Sequence, residues 1–406
     1  MPVGFPAMNF MKMIYLDGAA NTPLDKTVFK QMKPYLTNKF VGNSSAAHDF
    51  GIRASQAIEE SRNQVAKALR VSPEEVFFTS GATEGNNWII RSVADEQLAH
   101  GMARPKIICG ATEHSSVLKT CSSLSAFGFE VIFVQPTKRG SITLSNVRKI
   151  IDDKTCLVCI MAINNETGVA NEVDKIAQLA RKKGAITLCD CTQLMSYGGD
   201  DIKLSSRYPH VDCFTLSAHK FYGPTGVGAV IIRKDVKLLP FLKGGAQERG
   251  MRAGTSNTAG IVGLGAAMDQ LRDNQCATNF SLLFHYFFTK LEKCGKLNAI
   301  PDHLNIISAN FSEYCNTDNL ASVLATYGIA VSAGSACDAE HADITGYNPS
   351  HVLIAMGLKE NDIRNTIRVS FTKYTTKKDI DCLFKALDDI HNYYPCHTEE
   401  KEIKND

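Results

Sequence analysis

No stretch of this 406-residue chain approaches the run of about eighteen apolar side chains that a membrane-spanning helix requires, so a helical membrane protein is not expected. Met1 to Met13 lack the basic start and long apolar centre of a secretory signal. The expectation is a soluble enzyme, cytoplasmic, or organellar after removal of a transit peptide, with Met8, Met11 and Met13 leaving the true start open. An excess of one charge is missing as well. The 44 basic and 42 acidic side chains leave a net charge of +2, too little to draw nucleic acid or an anionic membrane directly. Internal repeats and low-complexity segments are absent. A disulfide framework is not expected either, although there are 13 cysteines. Cys156, Cys159, Cys189 and Cys213 sit in apolar runs, where cysteine behaves as a small buried hydrophobe. Cys156 and Cys159 form a C-x-x-C pair, but no second pair stands at zinc spacing. Three residues along a strand would point the two thiols to opposite faces, so no metal site is expected.

What is present is an alternation of helix and strand in a chain long enough for two domains. Ala54, Ala57, Ile58, Val65 and Ala66 recur at helical spacing, predicting a helix over Ala54–Ala68, and a second is predicted over Val173–Lys183. Short apolar runs predict strands at Val76–Thr79, Lys106–Cys109, Glu130–Val134, Leu157–Ile163, Ile186–Asp190, Cys213–Leu216 and Val227–Ile232. That order is α/β, with a largely parallel sheet, crossover helices, and ligand residues at the carboxyl ends of the strands.

Chemistry concentrates at those ends. Lys220 follows Ser217-Ala218-His219 and precedes the turn Gly223-Pro224-Thr225-Gly226, a setting suited to a Schiff-base lysine for pyridoxal phosphate. A lone lysine after a strand is ordinarily a solvated surface group. Asp190, ending the run Ala185 to Cys189, supplies the carboxylate that would keep a pyridinium nitrogen protonated.

Three segments carry a family resemblance: Ser217 to Pro224, Gly244 to Thr255, and Ser332-Ala333-Gly334-Ser335-Ala336-Cys337. With Tyr15-Leu16-Asp17 at the front and similarity to about Thr376, the chain resembles the NifS/IscS-type cysteine desulfurases of the class V aminotransferase group. The resemblance implies a fold-type I pyridoxal-phosphate enzyme with a mostly parallel seven-stranded sheet. It implies a large domain over residues 25–267 and a smaller α/β domain over 268–397. An N-terminal arm, 1–24, would join the small domain, and the tail 398–406, rich in Glu and Lys, is expected to be disordered.

By resemblance, Lys220 anchors the cofactor and then removes the substrate Cα proton. Ala82 and Thr83, with Ser217 and His219, form the phosphate cup at a helix N-terminus. Thr255 reaches the phosphate of a second subunit, making the enzyme a homodimer. His114 stacks over the ring and moves protons, while Asn165 and Gln193 hydrogen-bond the phenolic oxygen. Arg368, helped by Asn43, grips the substrate carboxylate. Cys337 attacks the sulfur of L-cysteine, leaving alanine and a persulfide for an acceptor protein such as an iron–sulfur scaffold, or for thio-cofactor or tRNA synthesis. Two departures stand out. Gly85 occupies a position usually held by serine, and the loop Asp338–Asn348 is longer and more acidic than in common desulfurases. That loop keeps selenocysteine lyase, acting on L-selenocysteine, as an alternative. A catalytically silent sulfur-transfer scaffold is the alternative outside enzymology.

Overall fold

The strand β1 (Ile14–Tyr15) lies parallel to β11 (Ile329–Ala330), so the beginning of the described chain pairs with its distant C-terminal part. The structure, a computed structural model, describes residues 13–37, 42–101, 104–273, 276–334 and 348–393. Cys337 and the expected tail lie outside these residues.

Seven strands follow: β2 (Val76–Thr79), β3 (Lys106–Gly110), β4 (Glu130–Val134), β5 (Thr155–Cys159), β6 (Ile186–Asp190), β7 (Cys213–Ser217) and β8 (Gly228–Ile232). They form one sheet in the order β2-β8-β7-β6-β5-β3-β4. β8 runs antiparallel to both its neighbours and the other pairs are parallel, giving the mostly parallel seven-stranded sheet expected. The run that looked like a strand to Ile163 is regular only to Cys159; Ile160 and Ala162 still donate to the Leu188 and Asp190 carbonyls before the chain bends into the loop that carries Asn165.

Alternation explains why these strands are apolar throughout. Ile107, Leu157, Leu188, Cys213 and Val230 enter one cluster, whereas Ile108, Val158, Cys189, Phe214 and Ile231 enter another. Both faces are covered, as a crossover sheet requires. Burying each such side chain contributes about 1.5–3 kcal/mol. Cys156 corrects one expectation. The register passes from Lys106↔Thr155 to Ile107↔Leu157, so Cys156 is the extra residue of a bulge, and it shares an apolar cluster with Cys159.

The helix predicted at Ala54 begins earlier, at Asp49, where the His48 side chain accepts the Gly51 N–H, and it ends at Leu69 with Arg70 left-handed at φ 55°. The helix Thr258–Asp273 carries Met268 and Leu271 into the first core, so the boundary expected after residue 267 would cut it. A separate core forms beyond it. There β9 (Lys296–Leu297), β10 (Ile306–Asn310) and β12 (Thr366–Ser370) make an antiparallel sheet, on which the helix Lys377–Tyr393 buries Ile380, Leu383, Leu387 and Ile390. Asp17 bridges to Ser370, so the N-terminal segment packs on this second core.

Candidate active site

Five of the parallel strands deliver side chains to one edge of the sheet, as strand ends in such folds do. β2 leads to Ala82 and Thr83, β3 to His114, β5 to Asn165, β6 ends in Asp190, and β7 leads through Ser217 to Lys220. They meet in a cavity of about 190 Å³ that also takes in Gln193, His219, Arg368, and Ala19 and Ala20 of the N-terminal segment.

Lys220 Nζ donates to the carbonyls of Ala19 and Ala20 at 2.8 and 2.7 Å, fixing the amine at the cavity wall. Gln193 Nε2 donates to the same Ala19 carbonyl at 2.9 Å. Ser217 Oγ accepts the Ala82 N–H at 2.7 Å, tying the end of β7 to the first turn of the helix Ala82–Ala99. Burial and the neighbouring Lys220 charge hold the His219 imidazole down to about 4, so it is neutral near pH 7. Asp190 Oδ2 accepts from Asn86 Nδ2 and Oδ1 from the Thr192 N–H, each at 2.9 Å. Arg368 is 3% exposed, and Nη2 reaches Asp17 Oδ1 at 2.8 Å and Ser332 Oγ at 3.0 Å, while Nη1 donates to the Asn165 carbonyl at 3.1 Å.

Among the described residues, four buried polar atoms on the cavity wall have no partner: Asn165 Oδ1, Thr192 Oγ1, Gln193 Oε1 and Arg368 Nε. Buried polar groups are nearly always paired, so the cavity is shaped for a polar ligand. A helix N-terminus with the Ser217 hydroxyl suits a phosphate, and a buried carboxylate suits a ring N–H. These residues therefore fit pyridoxal phosphate.

Two sequence candidates lie elsewhere. Asn43 is exposed, and its Oδ1 accepts the Ser45 N–H at 3.0 Å. Thr255 is exposed on a loop where Arg252 pairs with both oxygens of Glu84 at 2.7 and 3.0 Å. Other residues at the site carried no sequence-based role. Asp17 holds Arg368, and Glu113 is wholly buried beneath the site, accepting the Met161 N–H at 2.6 Å. Burial pushes the Glu113 carboxyl well up, the Met161 N–H offsets part of this, and the Asp190 charge adds to the rise. Asp17 stood within the segment Tyr15-Leu16-Asp17, but nothing in its spacing, or in that of Glu113, told which groups they would meet.

Comparison with known proteins decides the family. The class-V aminotransferase family matches residues 14–383. The chain belongs to it. This family is pyridoxal-phosphate-dependent. Cysteine desulfurase IscS of Dictyoglomus turgidum is 35% identical over 387 residues, spanning 93% of this chain and 94% of its own. A solved NifS-like protein is 34% identical with a TM-score of 0.84, covering 94% of this chain and all of its own. The structure of SspA in complex with cysteine is 32% identical with a TM-score of 0.75, covering 89% and 99%. Among the described residues no helix is long and apolar enough to cross a membrane.

Proposed function

We propose that this chain is a pyridoxal-phosphate-dependent cysteine desulfurase that converts L-cysteine to L-alanine and passes the sulfur on as a persulfide. The observation that carries the reading is the convergence of Lys220, Asp190, His114 and Arg368 on one cavity whose wall leaves polar atoms unpaired. Kinship with enzymes named for cysteine desulfuration, and with a structure described as holding cysteine, supports the substrate.

When bound, pyridoxal phosphate supplies an electron sink for the carbon that loses a proton. Ala82, Thr83, Ser217 and His219 would hold its phosphate, and Asn165 and Gln193 would hold its ring oxygen. Asp190, positioned by Asn86 and the Thr192 N–H, would face the ring nitrogen and supply the carboxylate that favours its protonated form. Lys220 would anchor the group, and its amine would serve as the base for the substrate Cα proton. Arg368 orients the substrate carboxylate, its guanidinium already aligned by Asp17 and Ser332. The Cys337 thiolate attacks the substrate sulfur, an S–S bond forms, the C–S bond breaks, and the carbon takes up a proton to give alanine. Thr255 completes the site of a second copy, so the active form is a homodimer. The chain divides after Asp273, with residues 25–273 holding the cofactor and the arm 13–24 riding on the remainder. The persulfide acceptor is a protein of iron–sulfur cluster or thio-cofactor synthesis, and the compartment is the cytoplasm.

The test is incubation of the loaded enzyme and its Cys337→Ala variant with L-cysteine and with L-selenocysteine, measuring alanine alongside sulfide or selenide. Wild type should form alanine from cysteine and carry one added sulfur on Cys337 by mass spectrometry. The variant should lose cysteine turnover. Full cysteine activity in Cys337→Ala would rule out the persulfide route, and turnover of selenocysteine alone by wild type would reassign the enzyme as a selenocysteine lyase.

A further inference from the structure

Behind the cavity wall, Asn86 is fully buried on the helix Ala82–Ala99, and both polar ends of its amide are paired. Nδ2 donates to Asp190 Oδ2 and to Ser116 Oγ, each at 2.9 Å. Oδ1 accepts from Thr215 Oγ1 at 2.7 Å. The direction of every bond is forced. An ionised Asp190 can only accept, so the amide nitrogen must face it. Ser116 Oγ accepts from Asn86, which leaves its own proton for His114 Nδ1 at 2.8 Å. The Ser116 N–H points at the same Nδ1 from 3.2 Å. Nδ1 is therefore an acceptor, and a neutral His114 carries its proton on Nε2.

We propose that Asn86 is a positioning residue that couples Asp190 to His114, so that the carboxylate's charge and the imidazole's tautomer are set together through Asn86 and Ser116. The proposal rests on reading Asp190 and His114 as groups that face the cofactor. Its physical basis is that the amide has two hydrogens and spends both on this relay, while Asp190, which can only accept, fixes which way round the amide sits and the Thr215 hydroxyl satisfies its oxygen. A side chain without those hydrogens strips Asp190 Oδ2 of its Asn86 donor and frees the Ser116 hydroxyl to turn away from His114. Neither Asn86 nor Ser116 lines the cavity, so the effect on substrate passes through the groups they hold.

The experiment compares wild type with Asn86→Leu, close in volume, and Ser116→Ala. Imidazole nitrogen spectra of histidine-labelled protein, recorded with and without pyridoxal phosphate, read the His114 tautomer, with the His114 signals assigned from a His114→Gln variant. Cofactor affinity is read by titration, and kcat and KM from alanine formation. The expectation is a His114 ring protonated on Nε2 in wild type and a tautomer mixture in both variants. Losing a hydrogen bond to a charged group should weaken cofactor affinity and kcat about tenfold in Asn86→Leu, with KM for L-cysteine within about twofold. Ser116→Ala should disturb His114 while leaving cofactor affinity within about twofold. An unchanged His114 spectrum in Asn86→Leu overturns the coupling. Should that variant fail to fold by circular dichroism, an unchanged His114 spectrum in Ser116→Ala overturns it instead. Failure of wild type to bind pyridoxal phosphate would sink the underlying reading and still leave the tautomer measurement standing as its own test.

Discussion

Lys220 and Arg368 are held by partners of opposite kind, and the difference sets what each substitution should do. Lys220 is placed by two main-chain carbonyls, so changing it leaves the neighbouring backbone intact. Lys220→Ala should lower kcat by about a thousandfold or more, since anchor and base go together, while pyridoxal phosphate still binds through its phosphate contacts. Steady-state alanine formation and a cofactor titration check the two halves of that statement. Arg368 is placed by its own fork, which spans Asp17, Ser332 and the Asn165 carbonyl at once. An ammonium cannot reproduce that geometry. Arg368→Lys should therefore raise KM for L-cysteine about tenfold or more with little change in cofactor loading. Unchanged KM would remove Arg368 from carboxylate recognition.

Elements explain how much of this could be read in advance. The strand ends at Thr79, Asp190 and Ser217 are legible because a short apolar run followed by a small or charged residue has one physical meaning in a crossover sheet. Lys220 and Asp190 could be nominated for that reason, whereas His114 came only from the family resemblance. Asp17, Asn86 and Glu113 could not, because their partners come from segments as far away as Arg368, and no local pattern encodes such a meeting. Cys156 misled because a bulge shifts the period of its strand. Gly85, a departure by sequence, gains a reason from packing. A Cβ there would stand 2.6 Å from Val230 Cγ2 and 2.9 Å from Thr215 Cγ2, so this helix touches the sheet where a serine would need room for its side chain. Gly85→Ser should cost about 1–3 kcal/mol of stability by urea unfolding. Val230→Ala in the same chain should recover part of that loss, and a strictly additive double variant would show that the two positions do not share the space.

Across the whole molecule, the passage between the two cores is where acid should act. Asp302 and His303 both donate their N–H groups to the Gly168 carbonyl at 3.0 Å, joining the loop after Asn165 to the segment that enters β10. Gly168 is left-handed at φ 71°, and a Cβ there would lie 2.5 Å from the Ile306 carbonyl oxygen, so the junction admits no larger residue. The His303 ring packs against Tyr197, tilted by 34° with centroids 4.2 Å apart, and its buried Nδ1 has no partner among the described residues. Burial, with the Arg207 charge adding, holds this imidazole down to about 3. Between that value and the unfolded value near 6.5, the unfolded chain binds a proton that the folded chain refuses, so stability falls as pH falls through this window. By pH 4.5 the loss from this one residue amounts to about 2–3 kcal/mol. The depressed His219 acts in the same direction, so the contribution of His303 must be isolated by substitution. His303→Phe keeps an aromatic ring against Tyr197 and removes the proton site. Urea unfolding at pH 7 and pH 4.5, at one fixed cofactor concentration, should show wild type losing about 2–3 kcal/mol more than His303→Phe over that interval. Equal losses in the two proteins would mean that His303 takes up its proton without opening the junction, and the acid sensitivity would then have to come from elsewhere in the fold.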